Sequence, residues 1–229
     1  MARKKQPDKA NEKKTNILLV DDHPIVRQGL AELVNQQTDL VVCGQAEDAH
    51  QAMKAVKELK PDMAIVDISL KETSGMELIK DLNSQYPDLP VLALSMHDES
   101  LYAERALRAG ARGYIMKDEA TEKVIMAIHK ILRGEIYISD KMATKMMRKL
   151  VGSSTELTTS PVERLSDREL EVFQLIGKGF GTRQISERLF LSIKTIETYR
   201  AHIKEKLHLA DSAEMLRYAI QWVNSRKNV

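Results

Sequence analysis

Five residues of this chain stand at the ends of short apolar runs and carry groups that could act together. Asp67 closes Met63-Ala64-Ile65-Val66, and Asp21 and Asp22 follow Ile17-Leu18-Leu19-Val20. Ser95 follows Val91-Leu92-Ala93-Leu94, and Lys117 follows Tyr114-Ile115-Met116. Such short, continuous apolar runs read as strands buried on both faces of a parallel sheet. Ligands of open α/β sheets sit beyond the carboxyl ends of their strands. A lone strand-end Asp more often caps the next turn; here three carboxylates, a hydroxyl and an ammonium converge on one sheet edge. Adjacent carboxylates repel and raise each other's pKa unless a cation is present. Two or three acidic oxygens with room for water suit Mg2+. An Asp in that setting can act as a nucleophile and form an aspartyl phosphate, with the hydroxyl and the Lys neutralising the phosphoryl oxygens.

The elements that must position these groups alternate along residues 16–135. The strand before Asp21 is followed by a helix from Pro24 to Asn35, Pro being acceptable in a first helical turn. Ile25, Gly29, Leu30, Leu33 and Val34 form its expected buried stripe. A strand over Val41–Ala46 precedes a helix capped by Asp48 and running to Leu59. The Asp67 strand is followed by a polar loop and by a helix opening at Gly75. Further helices are expected over Glu99–Ala109, stopped by Gly110, and over Glu119–Leu132, ending at Gly134. Five βα units of this length imply an α/β, doubly wound parallel sheet in the flavodoxin-like strand order 2-1-3-4-5.

The residues Asp21-Asp22, Asp67, Ser95 and Gly113-Tyr114-Ile115-Met116-Lys117 resemble the receiver domain of two-component response regulators. The resemblance implies that Asp67 is the phosphoacceptor. It implies that Asp22 and Asp67 hold Mg2+, with Asp21 acting through water and the Ser69 backbone carbonyl as a further ligand. It makes Ser95 the switch hydroxyl, Tyr114 the switch aromatic and Lys117 the phosphate-binding ammonium. Asp118 stands where many receivers have Pro, so no cis peptide is expected after Lys117.

Beyond residue 135 the strands stop. Residues 136–161 read as a linker with a helix over Asp140–Leu150, whose Met142, Met146, Met147 and Leu150 form a packing stripe. The Ser/Thr-rich stretch Gly152–Pro161 reads as flexible. Residues 162–229 read as an all-α, four-helix domain. Ser166-Asp167-Arg168-Glu169 and Asp211-Ser212-Ala213-Glu214 are capping boxes. Thr182 is expected to cap a helix to Leu189, and Ser192 one to Leu207, with only Phe190-Leu191 between them. A tight turn of that kind in a basic domain points to helix-turn-helix DNA binding. Ile196, Ile203 and Leu207 fall on one face of the second of these helices, and Lys194, Thr198, Ala201 and Glu205 on the other. The run Gly179–Ser186, with Leu191-Ser192 and Lys194-Thr195-Ile196-Glu197, resembles the LuxR-type helix-turn-helix. With the receiver it covers nearly the whole chain, and the combination is similar to NarL/FixJ-type response regulators.

Net charge divides as +4 over residues 1–16, −7 over 17–135 and +5 over 136–229. An acidic half joined to a basic half fits a cation or phosphate site in one and nucleic acid beside the other. Residues 1–15 read as a disordered basic arm. No run approaches the roughly 18 apolar residues of a membrane helix. No signal peptide is visible, and the lone Cys43 excludes an internal disulfide, so a cytoplasmic setting is expected. Cys43 is expected to be a packed core residue. The six histidines show no metal-ligand spacing, and His97 is a candidate to line the site.

The combined reading is a phosphorylation-switched, DNA-binding transcriptional regulator rather than an enzyme. A sensor histidine kinase is its expected phosphoryl donor, double-stranded DNA its target, and a homodimer its phosphorylated form. Contacts to DNA are expected from Thr182, Lys194, Thr195, Glu197, Thr198, Tyr199, Arg200, Ala201 and Lys204. One rival reading is an aspartyl-phosphate phosphatase or phosphotransferase. Such enzymes carry a second Asp two residues after the nucleophile, where this chain has Ser69. The other rival, a DNA-binding protein with a merely structural receiver, needs none of the five strand-end groups.

Overall fold

The computed structural model describes residues 14–70, 74–151 and 161–227, with residues 149–151 and 226–227 described as backbone only. The chain forms two units, one of Met1–Leu70 and Glu77–Ser139, the other of Lys71–Met76 and Asp140–Val229. The expectations for the basic arm up to residue 13 and for the Ser/Thr-rich stretch 152–160 lie outside the described residues.

The first unit is built on strands β1 (Thr15–Val20), β2 (Leu40–Ala46), β3 (Met63–Asp67), β4 (Val91–Ser95) and β5 (Gly113–Met116). They form one parallel sheet in the expected order β2-β1-β3-β4-β5. Five helices connect them or close the unit: α1 (Pro24–Asn35), α2 (Ala49–Leu59), α3 (Gly75–Gln85), α4 (Glu99–Ala109) and α5 (Ala120–Leu132). Strands β3 and β4 are buried along their whole length, as their unbroken apolar runs require. Strand β2 is an edge strand and only its ends are buried. Cys43 in its middle is therefore half-buried rather than a core residue, with burial pushing its thiol pKa up.

Helix α1 departs from its expected stripe. It packs Leu30, Ala31 and Val34 inward, while Ile25 is 87% exposed and Gly29 is exposed. The inward face is set by the 3.6-residue period counted back from Val34, and Ile25 falls outside it. Thr15, expected in the arm, is the first residue of β1, and its N–H donates to the Asp39 carbonyl at 2.8 Å. The first unit also extends beyond its expected end at residue 135. Tyr137 forms a parallel bridge with Gly113, with Tyr114 N–H donating to Tyr137 O and Tyr137 N–H to Arg112 O, each at 2.9 Å.

The second unit contains α6 (Asp140–Val151), a 3-10 turn at Pro161–Arg164, α7 (Asp167–Gly177), α8 (Thr182–Leu189), α9 (Ile193–Lys206) and α10 (Ser212–Lys227). On α6 the expected stripe holds only in part: Met142 is buried, Met146 is half-buried and Met147 is 58% exposed. The side chain of Leu150 lies outside the described residues. The Phe173 ring of α7 meets Trp222 and Tyr218 of α10 at 5.6 and 5.8 Å between centroids. Gly177 lets the two helices approach, since a Cβ there would lie 2.5 Å from the Ala219 carbonyl oxygen. The capping box at the start of α7 is complete: Ser166 Oγ accepts from Glu169 N–H, and Glu169 Oε2 accepts from Ser166 N–H.

Candidate functional site: an acidic pocket and a helix-turn-helix

Parallel register brings the carboxyl ends of β1, β3, β4 and β5 to one edge. Val20 lies opposite Val66, Asp67 opposite Leu94, and Ser95 opposite Met116. Asp21, Asp22, Asp67 and Ser95 are all buried there. Lys117 Nζ lies 2.7 Å from Asp67 Oδ2 and 2.7 Å from Asp21 Oδ2. Asp67 Oδ1 accepts from Ser69 N–H at 3.0 Å. The sheet thus gathers Asp21, Asp22, Asp67 and Lys117 in one pocket, with Ser69 on its rim.

The electrostatics follow from burial. Burial pushes the Asp67 carboxyl above its ordinary range and the Asp21 charge adds to this, while Lys117 and the Ser69 N–H oppose it. Burial works against the Lys117 ammonium, yet the two carboxylates beside it hold its pKa above the usual lysine value. Asp21 and Asp67 share one ammonium, with Asp22 in the same cluster, so the pocket has negative charge to offer a cation. Oxygen or nitrogen atoms of Asp21, Asp22, His23 and Asp67 all lie within 4.8 Å of one another. Among the described residues, Ser69 Oγ is buried with no hydrogen-bond partner. Residues of these types fit a small divalent cation with oxygen ligands.

His23 is the pocket member that sequence reasoning missed. Its Nδ1 lies 2.8 Å from Asp22 Oδ1 and 3.3 Å from Asp21 Oδ1. A search for spacing among histidines overlooks it, because its neighbours are carboxylates adjacent in sequence. The other histidine considered, His97, contributes its backbone: its N–H donates to Ser95 Oγ at 2.8 Å and its carbonyl accepts from Tyr114 Oη at 2.8 Å. Its ring stacks on Tyr102, with centroids 4.6 Å apart. Tyr114 is already buried in this state, and burial drives its hydroxyl pKa well up, with the Asp98 and Glu99 charges adding to the effect and Ser95 opposing it. Among the described residues every peptide bond, including Lys117–Asp118, is trans.

In the second unit α8 and α9 are joined by the expected Phe190-Leu191 turn and the cap residue Ser192, with Phe190 in the left-handed region at φ 54°. Ser192 caps α9, its Oγ accepting from Thr195 N–H at 3.0 Å. Thr182 does not cap α8: it is the first helical residue, and Gly181 takes the cap position, its N–H donating to Gln184 Oε1 at 3.0 Å. Ile196, Ile203 and Leu207 are buried, while Lys194, Glu197, Thr198 and Ala201 are exposed on α9. Thr195, Tyr199, Arg200 and Lys204 are half-buried at the flanks of that surface. Thr182 Oγ1 donates to Glu197 Oε1 at 2.9 Å, and Arg200 Nε lies 3.9 Å from the same oxygen. Glu197 is therefore tied to the start of α8, a contact that helical-face reasoning could not reveal. Behind this surface, burial works against the Glu169 carboxylate, but Lys206 at 2.6 Å and the Ser166 donors prevail and lower its pKa.

Comparison with known proteins agrees with both units. Residues 17–129 match the response regulator receiver domain family, and residues 163–219 match the luxR family of bacterial regulatory proteins. The chain is 37% identical to the oxygen regulatory protein NreC of Staphylococcus aureus over 209 residues, covering 90% of this chain and 96% of that protein. Its fold is similar to the RcsB response regulator of Salmonella typhimurium, with 25% identity, a TM-score of 0.63, and coverage of 91% of this chain and 98% of that one. It is also similar to a LuxR-family two-component response regulator from Aurantimonas sp. SI85-9A1, with 31% identity and a TM-score of 0.56 over 61% of this chain and 100% of that one. The chain belongs to the response regulators that join a receiver domain to a LuxR-type helix-turn-helix, and it is a phosphorylation-dependent, DNA-binding transcription regulator.

Proposed function

We propose that Asp67 is the phosphoacceptor and that a partner histidine kinase supplies the phosphoryl group. One observation carries this reading: Lys117 Nζ lies 2.7 Å from both Asp67 and Asp21, at the buried ends of three different strands. In the transfer, an Asp67 carboxylate oxygen bonds to phosphorus as the nitrogen–phosphorus bond of a phosphohistidine breaks and the imidazole leaves. Lys117 offsets charge on the phosphoryl oxygens, and Ser95 Oγ turns toward them. Asp22 and Asp67 would hold Mg2+ directly, Asp21 through water, and the Ser69 carbonyl would complete the set. When bound there, Mg2+ offsets the charge of the carboxylates and of the phosphoryl oxygens. Incubation with acetyl phosphate and Mg2+ should place one acyl phosphate on the wild-type chain and none on Asp67→Asn; equal incorporation would remove Asp67 from this role. Asp22→Ala should abolish the Mg2+ titration without loss of stability, since it removes one of several repelling charges.

In this reading the receiver, expected over 16–135, takes in Thr15 and runs on through Tyr137, with the linker after it and the DNA-binding domain at 162–229. Helix α9 would read the major groove. Glu197, Thr198 and Ala201 would face base edges, and Lys194, Thr195, Tyr199, Arg200 and Lys204 the phosphates, with Thr182 at the adjoining helix start. RcsB has been seen as dimers bound to DNA, and on a promoter in the presence of the phosphomimetic BeF3−. By analogy, this chain acts as a phosphorylation-promoted homodimer, a two-fold arrangement being the commonest for soluble oligomers. Light scattering at micromolar concentration should show the mass double with the phosphomimetic; an unchanged monomer mass would contradict this.

A further inference from the structure

The exposed side of α9 carries Lys194, Glu197, Thr198 and Ala201, spaced as one helical face. The four differ in what they can offer a base. Ala201 has no polar group. Thr198 Oγ1 donates to the Lys194 carbonyl at 3.0 Å, so its proton is engaged within the helix. Lys194 is a long cation and suits phosphate. Glu197 is the one acid of the four, and it is held. Thr182 Oγ1 donates to Glu197 Oε1 at 2.9 Å from the start of α8, and Arg200 Nε lies 3.9 Å from the same oxygen. Among the described residues, Glu197 Oε2 has no hydrogen-bond partner.

An acid on a DNA-binding face repels phosphate, so it lowers affinity for DNA of any sequence. Its chemistry toward bases is narrow, because a carboxylate only accepts hydrogen bonds. Two base donors are open to it in the major groove, cytosine N4 and adenine N6. Adenine N6 lies between two acceptors, its own N7 and the O4 of the paired thymine. Cytosine N4 has an acceptor on one side only, the O6 of the paired guanine, and a C–H on the other. A carboxylate is therefore repelled least at cytosine. The bond from Thr182 orders the Glu197 side chain before DNA binds, and a side chain already ordered loses less rotamer freedom at an interface. Glu197 also lies in the N-terminal half of α9, the part of a recognition helix that reaches base edges.

We infer that Glu197 reads one cytosine of the DNA site, Oε2 accepting from the N4 amino group, and that Thr182 is the positioning residue that aims it. Thr182 acts through Glu197, since its proton is directed at Oε1 and leaves Oε2 for the base. Guanine and thymine are refused at that position, because each presents acceptors where the carboxylate needs a donor. This rests on the reading of α9 as the helix in the major groove, and it adds the base that is read and the residue that sets its reader.

The test is selection from random duplex DNA by the full chain treated with acetyl phosphate and Mg2+, followed by titration of the selected duplexes. Glu197→Ala should lower the preference for cytosine at one position about tenfold. Its affinity for duplex lacking the motif should hold or rise, because a charge that repels phosphate is gone; a merely structural role would weaken both. Glu197→Gln should move that position toward adenine, since an amide accepts from N6 and donates to N7. Thr182→Val should lose less of the same preference, about threefold, because the carboxylate remains but is no longer ordered. Thr182→Ser keeps the hydroxyl and should keep the wild-type preference; a loss equal to that of Thr182→Val would remove Thr182 from the positioning role. Dependence on Glu197 at a base other than cytosine would overturn the assignment, as would Glu197 variants that recover the wild-type motif while Thr198→Ala alters it. If the Glu197 and Thr198 variants all recover the wild-type motif, α9 is not the reader and both readings fall.

Discussion

In the receiver the charges that matter are sealed, whereas in the DNA-binding unit they are open. Asp21, Asp22 and Asp67 are buried at strand ends, with Lys117 held between two of them. Lys194, Glu197, Thr198 and Ala201 lie exposed on α9, and the apolar side of that helix does the folding. A buried charge needs its partner to be tolerated at all, so in the receiver stability and chemistry share the same groups. An exposed charge is nearly free of the fold, so substitutions on the exposed side of α9 should have little effect on stability.

That contrast can be broken most sharply at the lysines. Lys117→Met leaves Asp21 and Asp67 buried without their cation. It should lower receiver stability by about 3–5 kcal/mol in metal-free urea unfolding, and a loss under 1 kcal/mol would mean that the pocket tolerates unpaired carboxylates. Next in size is Glu169→Gln, which loses the bond from Lys206 of α9 and is expected to cost the second unit about 1–3 kcal/mol. The folded pKa of Glu169 lies below its ordinary value, so its contribution is complete above the unfolded carboxylate value of about 4.3. It is lost as pH falls through the lower folded value, so the gap between variant and wild type should close on acidification. A gap that widens on acidification would give the shift the wrong sign.

Smaller still are the changes on the exposed face. Lys194→Ala and Lys204→Ala should each alter stability by less than about 0.5 kcal/mol. Each should weaken all DNA sequences alike and reduce the salt slope by about one unit. Selection of a different DNA motif by either variant would move that lysine from phosphate to base. Thr182→Val frees Glu197 from its 2.9 Å anchor. It should relax preference at the one base position that Glu197→Ala alters, by less than the roughly 1–3 kcal/mol expected for Glu197→Ala. Changes at unrelated positions would show that Thr182 and Glu197 act separately.

The same contrast explains what could be read from the residues alone. Asp21, Asp22, Asp67 and Lys117 follow or close unbroken apolar runs, so strand burial and parallel order bring them to one edge. Periodicity placed most helices within a residue or two. It failed at Ile25 and Met147, apolar residues that the fold leaves exposed, because counting apolar positions cannot say which face of a helix meets the sheet. It also could not find contacts made across long separations by single residues. Tyr137 on β5, Glu99 with Ser139, Thr182 with Glu197 and His23 beside Asp22 all depend on tertiary placement. On the open face of α9 the residue types narrow the candidates, but no burial constraint fixes the role of any one of them.

If the sealed site governs the open one, DNA affinity must depend on Asp67. The direct measurement is binding of the full chain to an operator selected from random DNA, before and after acetyl phosphate and Mg2+, for wild type and Asp67→Asn. Wild type should gain at least tenfold in affinity on treatment and Asp67→Asn should gain none. Equal affinity of treated and untreated wild type, or an equal gain in Asp67→Asn, would contradict the account.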